Sequence, residues 1–215
     1  MLARTTSLNE WEGGEVPDDV FIRILEETQQ AAERSGVPYL FMGGLASAAY
    51  GRPRWTHDID LFVRPDDARS VLEELSASGF KTQETDATWL AKGIKEGVLV
   101  DVSFRVSGDI YLDDEVLAHS TVREFKGVRL PVVSAEDLVV IKACTHKEVT
   151  PRHWYDALAI LAETEMNWEY LLARARFGAR RVLSLLVYAQ SNDIMVPDTV
   201  VRSLHERIYG PTSRG

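Results

Sequence analysis

The sequence predicts an α/β fold in which a mixed β-sheet is flanked by helices and followed by a C-terminal helical region. A strand, a Gly-Gly corner, a short helix and a second strand follow one another between residues 39 and 63, which is the alternation of an α/β domain. Two strand pairs with glycine-containing turns follow within residues 89–104 and 121–133. From residue 134 onward the apolar periodicity predicts helices.

Two regions are predicted along the chain. Residues 15–133 form the α/β region that carries the candidate site, and residues 134–212 form a helical region that packs on it. The 215 residues are enough for a substantial hydrophobic core. No internal repeat or low-complexity linker is visible in the sequence.

Capping residues mark the ends of the predicted helices. The first helix runs from Pro17 to about Arg34, because Gly36 and Pro38 follow it. Another begins at Pro65, with acidic residues in its first turn where the helix dipole favours them. The remaining helices are predicted from Ser134, from Pro151, and over 168–177, 179–189 and 198–208.

The strands after the central stretch are short. They are predicted over residues 80–85, 89–92, 98–104, 121–125 and 128–133. The segment from Gly93 to Gly97 is predicted to be the turn of the first hairpin, and Lys126-Gly127 the turn of the second. Residues 105–120 are predicted to be a loop with a short helix. Their acidic residues are interpreted as solvated surface.

The Gly-Gly corner is suited to binding an anion. An apolar strand over residues 39–42 leads into Gly43 and Gly44, and a small-residue helix follows. Glycine has no Cβ, so a phosphate can approach the backbone closely. The free N–H groups and positive dipole end of the helix then point at it. We therefore expect a phosphate-binding corner here.

Three aspartates point to a divalent cation. Asp58 and Asp60 are two residues apart in a predicted strand, so they share one face while the apolar neighbours occupy the other. Two adjacent carboxylates repel each other, and a cation is their natural partner. Asp101 interrupts another apolar strand. If the two strands are neighbours, the three acids form an oxygen-only site typical of Mg²⁺ or Mn²⁺.

This combination resembles the nucleotidyltransferase superfamily with a DNA polymerase β-like palm. The resemblance rests on Gly43-Gly44, on Asp58-Ile59-Asp60 after a gap of thirteen residues, and on the strand that contains Asp101. The segment around Thr56 is similar to small bacterial members, both antibiotic nucleotidyltransferases and abortive-infection-type toxins. Family members more often have Gly-Ser at the corner, whereas here Ser47 follows three residues later.

The resemblance implies an activity and a cofactor. A nucleoside monophosphate is transferred from an NTP to an acceptor hydroxyl, and pyrophosphate is released. Asp58, Asp60 and Asp101 are the implied catalytic residues and ligands of two Mg²⁺ ions, with Mn²⁺ as an alternative. The fold implied is a palm-like mixed sheet.

The nucleotide-binding residues are assigned from the same resemblance. Gly43 and Gly44 donate backbone N–H groups to the phosphates, Ser47 adds a hydroxyl, and Arg54 neutralises charge at the transition state. Lys142, a lone charge in an apolar helix, is interpreted either as a phosphate-directed cation or as a snorkelling lysine.

The next helix contains two further polar residues near this position. Asp156 is expected to brace Lys142 or another basic residue from outside the site. His153 is interpreted as a surface or structural histidine rather than a base.

Composition limits the partners. The net charge of −9 argues against broad nucleic-acid coating. No apolar run is long enough to span a membrane, and no signal-like N-terminus is present. A single cysteine, Cys144, fits a reducing cytoplasm and is interpreted as a core residue. The cytoplasm is therefore the expected location.

The acceptor is left open between two classes. One is RNA or protein, as for a toxin-like enzyme with an antitoxin partner. A cluster of arginines supports this class if the cluster binds phosphates, but not if it is a solvated helix face. The cluster consists of Arg174, Arg176, Arg180 and Arg181. The other class is a small antibiotic such as an aminoglycoside or lincosamide, which the acidic first region suits. A non-catalytic nucleotide-binding module on the same fold is the third hypothesis.

Overall fold

A computed structural model describes residues 16–51 and 56–210 of the chain, and within them it shows one seven-stranded sheet. The strands are β1 (Tyr39–Phe41), β2 (Asp58–Val63), β3 (Lys81–Asp86), β4 (Leu90–Lys95), β5 (Val98–Ser103), β6 (Thr121–Phe125) and β7 (Val128–Val132). Their order across the sheet is β3-β4-β5-β2-β1-β7-β6.

Helices flank the sheet and make up the C-terminal region. They are α1 (Asp18–Arg34), α2 (Gly43–Ala49), α3 (Ala68–Ala77), α4 (Asp114–His119), α5 (Ala135–Thr145), α6 (Arg152–Glu163), α7 (Trp168–Arg174), α8 (Ala179–Ser191) and α9 (Asp198–Tyr209). Short 3₁₀ turns precede α3 and follow α7. None of the helices in the described part of the chain has the length and apolar content that a bilayer crossing requires.

The sheet is mixed, as the sequence predicts. β1 pairs antiparallel with β2 and parallel with β7, while β2 pairs parallel with β5. The predicted α/β fold class is therefore confirmed. The division into two regions between residues 133 and 134 stays a prediction. Helix α5, the first helix after that division, contacts α2 as well as α6, α7 and α8.

One predicted turn is wrong. β4 continues through Gly93, which pairs with Val100, and the turn is formed by Glu96 and Gly97 alone. Both turn residues have positive φ angles, 48° and 81°, as a two-residue type I′ hairpin requires. Gly93 instead lies beside Leu75 and Phe80 in the packed interior, where an added Cβ would meet both at an ordinary contact distance of 3.7 Å.

The sheet separates an apolar face from a polar one. Ile59, Leu61, Val100 and Val102 alternate along β2 and β5 and are fully buried. These strands are covered by α1 and α3, whose apolar faces line the same core. The residues between them necessarily point to the opposite face. This alternation determines where the candidate carboxylates project.

The predicted start of α5 is confirmed. The Ser134 hydroxyl accepts a hydrogen bond from the Asp137 backbone N–H at 3.0 Å, which is the N-cap arrangement expected from the sequence. Every residue of α5 from Ala135 to Ala143 is buried. Such a helix packs on all sides, so α5 is the central element of the helical region.

The arginine cluster is not one solvated face. Arg174 is fully buried, and its Nε donates to Asp137 Oδ1 at 2.7 Å. Its Nη1 donates to Asp113 Oδ2 at 2.9 Å and to Glu115 Oε2 at 3.1 Å. These two acids keep 38% and 37% of their side chains exposed, so they lie at the surface as expected, but they are paired with a buried arginine rather than solvated alone. Their partner lies about sixty residues away in the chain, so only the tertiary structure could reveal the pairing.

Replacing Arg174 with methionine is expected to lower the free energy of unfolding by about 3–5 kcal/mol, because Asp137 would be left buried without its cation. Arg180→Met is the matched control, since Arg180 is exposed and its guanidinium lies over the ring of Tyr209; its effect should stay below about 1 kcal/mol. Urea unfolding measures both. Equal losses in the two variants would contradict the buried-pair interpretation.

Candidate active site

The three predicted acids lie on the polar face of two neighbouring strands. Asp60 on β2 is directly opposite Asp101 on β5 in the parallel register, and Asp58 lies two residues before Asp60. The expectation that these strands are neighbours is confirmed. All three residues are partly exposed on this face, although Oδ1 of Asp101 is itself buried.

The glycine corner directly abuts Asp60. The Met42 N–H donates to the Asp60 backbone oxygen at 3.0 Å, and α2 begins at the next residue. Gly43 has a φ of +63°, and a Cβ added there would lie 1.9 Å from Asp60 Oδ2. Only glycine satisfies both constraints. The Gly44 N–H points at the same oxygen from 3.4 Å.

Ser47 does not extend this corner toward a ligand. Its side chain is fully buried, and its hydroxyl donates to the Gly43 carbonyl at 2.6 Å. The hydroxyl therefore stabilises the first turn of α2. The predicted contact between Ser47 and a phosphate has no support in this geometry.

Thr56 orients Asp58. It is buried, and its hydroxyl donates to Asp58 Oδ1 at 2.7 Å. Thr56 therefore bonds to Oδ1 of Asp58 and not to Oδ2. A hydroxyl that fixes a carboxylate rotamer in this way prepares it for a ligand.

Asp101 has a cation beside it that the sequence interpretation missed. Lys92 on β4 is directly opposite Asp101, and its Nζ lies 3.7 Å from Asp101 Oδ1. That separation is too long for a hydrogen bond. Asp101 Oδ1 is buried and accepts no hydrogen bond among the described residues. A buried carboxylate oxygen in this state favours an additional electropositive ligand.

The electrostatics favour a cation between the acids. Burial, together with the negative charges of Asp58 and Asp101, raises the pKa of Asp60 to about 8. Burial also raises the pKa of Asp101, and the charge of Lys92 opposes that shift. The metal-free protein therefore tends to hold a proton where two carboxylates face each other.

The donor set fits a hard divalent cation. It consists of carboxylate oxygens only, it includes the unsatisfied oxygen of Asp101, and it adjoins a corner in which no side chain fits. No three His, Cys, Asp or Glu side chains within residues 16–51 and 56–210 have the spacing of a complete metal site. The carboxylates of these acids would therefore have to move closer together to hold an ion. The contact between Lys92 and Asp101 would change as they do.

A cleft of about 530 Å³ opens beside the glycine corner. Met42 and Gly43 line it from the sheet, and α5 and the loop after β5 line it from the other sides. Its cationic and aromatic residues are Trp89, Arg105, Lys142, Lys147 and His153. A volume and lining of this kind suit a phosphorylated organic ligand.

Lys142 is paired at the wall of this cleft. Its Nζ donates to Asp156 Oδ2 at 2.7 Å, and both side chains are almost fully buried. The expected bracing of Lys142 by Asp156 is thus present in the geometry. The positive charge of Lys142 also lowers the pKa of Asp60 against the effect of burial. Arg54 lies outside the described residues.

The family match identifies the chain as a nucleotidyltransferase. The chain belongs to a family of uncharacterised nucleotidyltransferases, whose sequence model matches residues 16–191. That span includes the whole sheet and the helices from α1 to α8. A search among curated protein sequences gives no significant match.

Solved structures share this fold at low sequence identity. The solution structure of the antibiotic-resistance factor ANT(2″)-Ia has a TM-score of 0.54 and 18% identity, covering 89% of this chain and 100% of that one. An antigenic nucleotidyltransferase-like protein from Paracoccidioides brasiliensis has a TM-score of 0.53 and 14% identity, covering 88% and 95%. ANT(2″)-Ia in complex with adenylyl-2″-tobramycin has a TM-score of 0.52 and 16% identity, covering 81% and 99%.

Several residues of the site were not identified from the sequence. Lys92 shares a β-rich stretch with Lys95, Arg105 follows that stretch, and Trp89 precedes a short strand. The signal for Lys92 was its place in the hairpin that contains Asp101. With the hairpin turn misplaced, that pairing could not be read.

Replacing Gly43 with alanine should destabilise the protein more than Gly127→Ala. Both residues have positive φ angles, so both variants pay about 1 kcal/mol of backbone strain. An added Cβ at Gly127 meets nothing within 4 Å, whereas at Gly43 it collides with the Asp60 carboxylate. Thermal unfolding of both variants, and of Gly43→Ala combined with Asp60→Ala, measures the difference. Equal destabilisation at the two glycines, or no rescue by Asp60→Ala, would exclude the proposed close contact.

Proposed function

We propose that the protein transfers a nucleoside monophosphate from an NTP to an acceptor hydroxyl and releases pyrophosphate, with divalent metal ions as cofactor. The observation that carries this proposal is the contact between Asp60 and the Gly43-Gly44 corner. It sets a cation-binding carboxylate beside a helix start that accepts an anion. A metal–triphosphate complex supplies both charges at once.

The chain's own residues bind and orient the nucleotide. Gly43 and Gly44 present the backbone of the α2 N-terminus to the β and γ phosphates. The cleft beside them accommodates the rest of the nucleotide, where Lys147 and Arg105 contribute positive charge. Lys142, held by Asp156, adds a fixed cation at the cleft wall.

Asp58, Asp60 and Asp101 would hold two Mg²⁺ ions, with Mn²⁺ as an alternative. When bound, such ions neutralise the triphosphate and make the acceptor hydroxyl more acidic. The acceptor oxygen forms a bond to the α-phosphorus, and the bond from that phosphorus to the pyrophosphate oxygen breaks. The hydroxyl proton passes to the Asp101 carboxylate in this proposal.

The sequence and the similarity in fold each suggest a class of acceptor. A small antibiotic is favoured by the similarity in fold to ANT(2″)-Ia, a structure of which contains adenylyl-2″-tobramycin. RNA or protein, with a toxin role and an antitoxin partner, is the prediction from the sequence. Location in the cytoplasm is also a prediction from the sequence alone.

Asp58→Asn and Asp60→Asn should each lower nucleotidyl transfer by about a thousandfold or more, because each removes a charged metal ligand. Asp66→Asn is the matched control. Asp66 lies in the 3₁₀ turn before α3, outside the site, and should leave the rate unchanged. The measurement follows labelled ATP, CTP, GTP and UTP with total RNA and a panel of aminoglycosides and lincosamides as acceptors. Unchanged turnover in both site variants would end the enzymatic interpretation of these acids.

Metal binding should strengthen as the pH rises toward 8. The pKa of Asp60 is raised to about 8 in the metal-free protein, so below that pH an ion must displace a proton. The apparent affinity for Mn²⁺ is expected to fall by up to about tenfold per pH unit below 8 and to level off above it. Electron paramagnetic resonance of free Mn²⁺ measures this. The interpretation that a proton on Asp60 competes with the metal would be contradicted by a Mn²⁺ affinity that does not change between pH 6 and pH 8. The same holds if Asp60→Asn binds Mn²⁺ with the same affinity as the unsubstituted protein.

A further inference from the structure

The polar face of the sheet carries a row of four side chains at matching register positions. Asp60 is opposite Asp101, Asp101 is opposite Lys92, and Lys92 is opposite Gln83. The row crosses β2, β5, β4 and β3 in that order. Two of these residues are the proposed metal ligands, whereas Lys92 and Gln83 have no part in the function proposed above.

The order of the strands places the glycine corner near one end of this row of four side chains and Gln83 at the other end. The glycine corner follows β1, on one side of β2, while Asp101 and then Lys92 lie on the other side. In nucleotidyl transfer, the attacking and leaving oxygens lie roughly in line through the phosphorus. If the leaving pyrophosphate occupies the corner after β1, the acceptor must approach over β5 and β4. Lys92 and Gln83 do not line the cleft beside the corner.

The surroundings of Lys92 are unusual for a strand lysine. Its neighbours on the same face of β4 are Leu90 and Ile94, and its side chain is only 17% exposed. Its ammonium group lies 3.7 Å from Asp101. If metal ions bind Asp101, its carboxylate is no longer available to Lys92. The Lys92 ammonium, which is mostly buried, would then need a different anion as its partner.

We propose that Lys92 and Gln83 form the acceptor subsite, and that the acceptor carries a phosphate beside its reacting hydroxyl. This inference rests on the proposed nucleotidyl transfer and adds the acceptor class. An ammonium and a carboxamide are both donors to phosphate oxygens. The same ammonium repels a polycationic acceptor such as tobramycin. The shared chemistry is found in the 3′ end of an RNA and in a small sugar phosphate.

Binding tests the acceptor class without requiring turnover. Fluorescence anisotropy measures the affinity of labelled single-stranded RNA and of labelled tobramycin in the presence of Mg²⁺ and a non-hydrolysable ATP analogue. RNA should bind more tightly than tobramycin. Lys92→Met should weaken RNA binding by about tenfold, and Lys92→Arg should restore most of it. Competition with ribose 5-phosphate separates the two sources of the phosphate.

Arg129→Met is the matched control, because it removes a positive charge from an exposed position on β7, outside the row. It should change RNA affinity by less than about twofold. Tighter binding of tobramycin than of RNA overturns the proposal, as does binding of neither, or equal weakening by Lys92→Met and Arg129→Met. Binding of the ATP analogue is measured separately. If the analogue binds and Lys92 has no effect, only this inference fails; if it does not bind, the proposed function fails.

Discussion

The close approach of the Asp60 carboxylate to the backbone of Gly43 is the contact on which the rest of the site depends. No side chain fits between them, and the positive φ of Gly43 turns the chain from β1 directly into α2. The start of a helix, which attracts anions, is thereby held against a carboxylate, which attracts cations. Neither group satisfies the other well at 3.4 Å. A metal ion bound to a polyphosphate, as in the proposed reaction, would satisfy both.

The sheet turns this local contact into an ordered site. One face of β2 and β5 is buried against α1 and α3, so register is determined by packing. A shift of one residue would bury the acids and expose the apolar side chains. The parallel pairing of these strands then places Asp101 beside Asp60. Because the strands follow a single order, the glycine corner, the aspartates and Lys92 occupy successive positions across the sheet.

Buried ion pairs hold the helices of the C-terminal region to one another. Lys142 pairs with Asp156 between α5 and α6, and Arg174 pairs with Asp137 between α7 and α5. Burying each pair costs desolvation free energy, and removing one partner destabilises the protein because the other charge is left buried and unpaired. Arg174 also binds Asp113 next to α4, downstream of the loop that lines the cleft. These contacts hold the walls of the cleft in place relative to the glycine corner.

The sequence by itself determined the helix caps, the glycine corner and the shared face of Asp58 and Asp60, because each depends on neighbours within a few residues. Tertiary structure decided the contacts of Lys92 and Arg174, the packing of Gly93 inside a strand, and the burial of Ser47. Those features depend on partners from distant parts of the chain or on how the elements pack together. A charged residue in an isolated sequence gives the same signal whether its partner is water or a buried acid, and only the packing distinguishes the two.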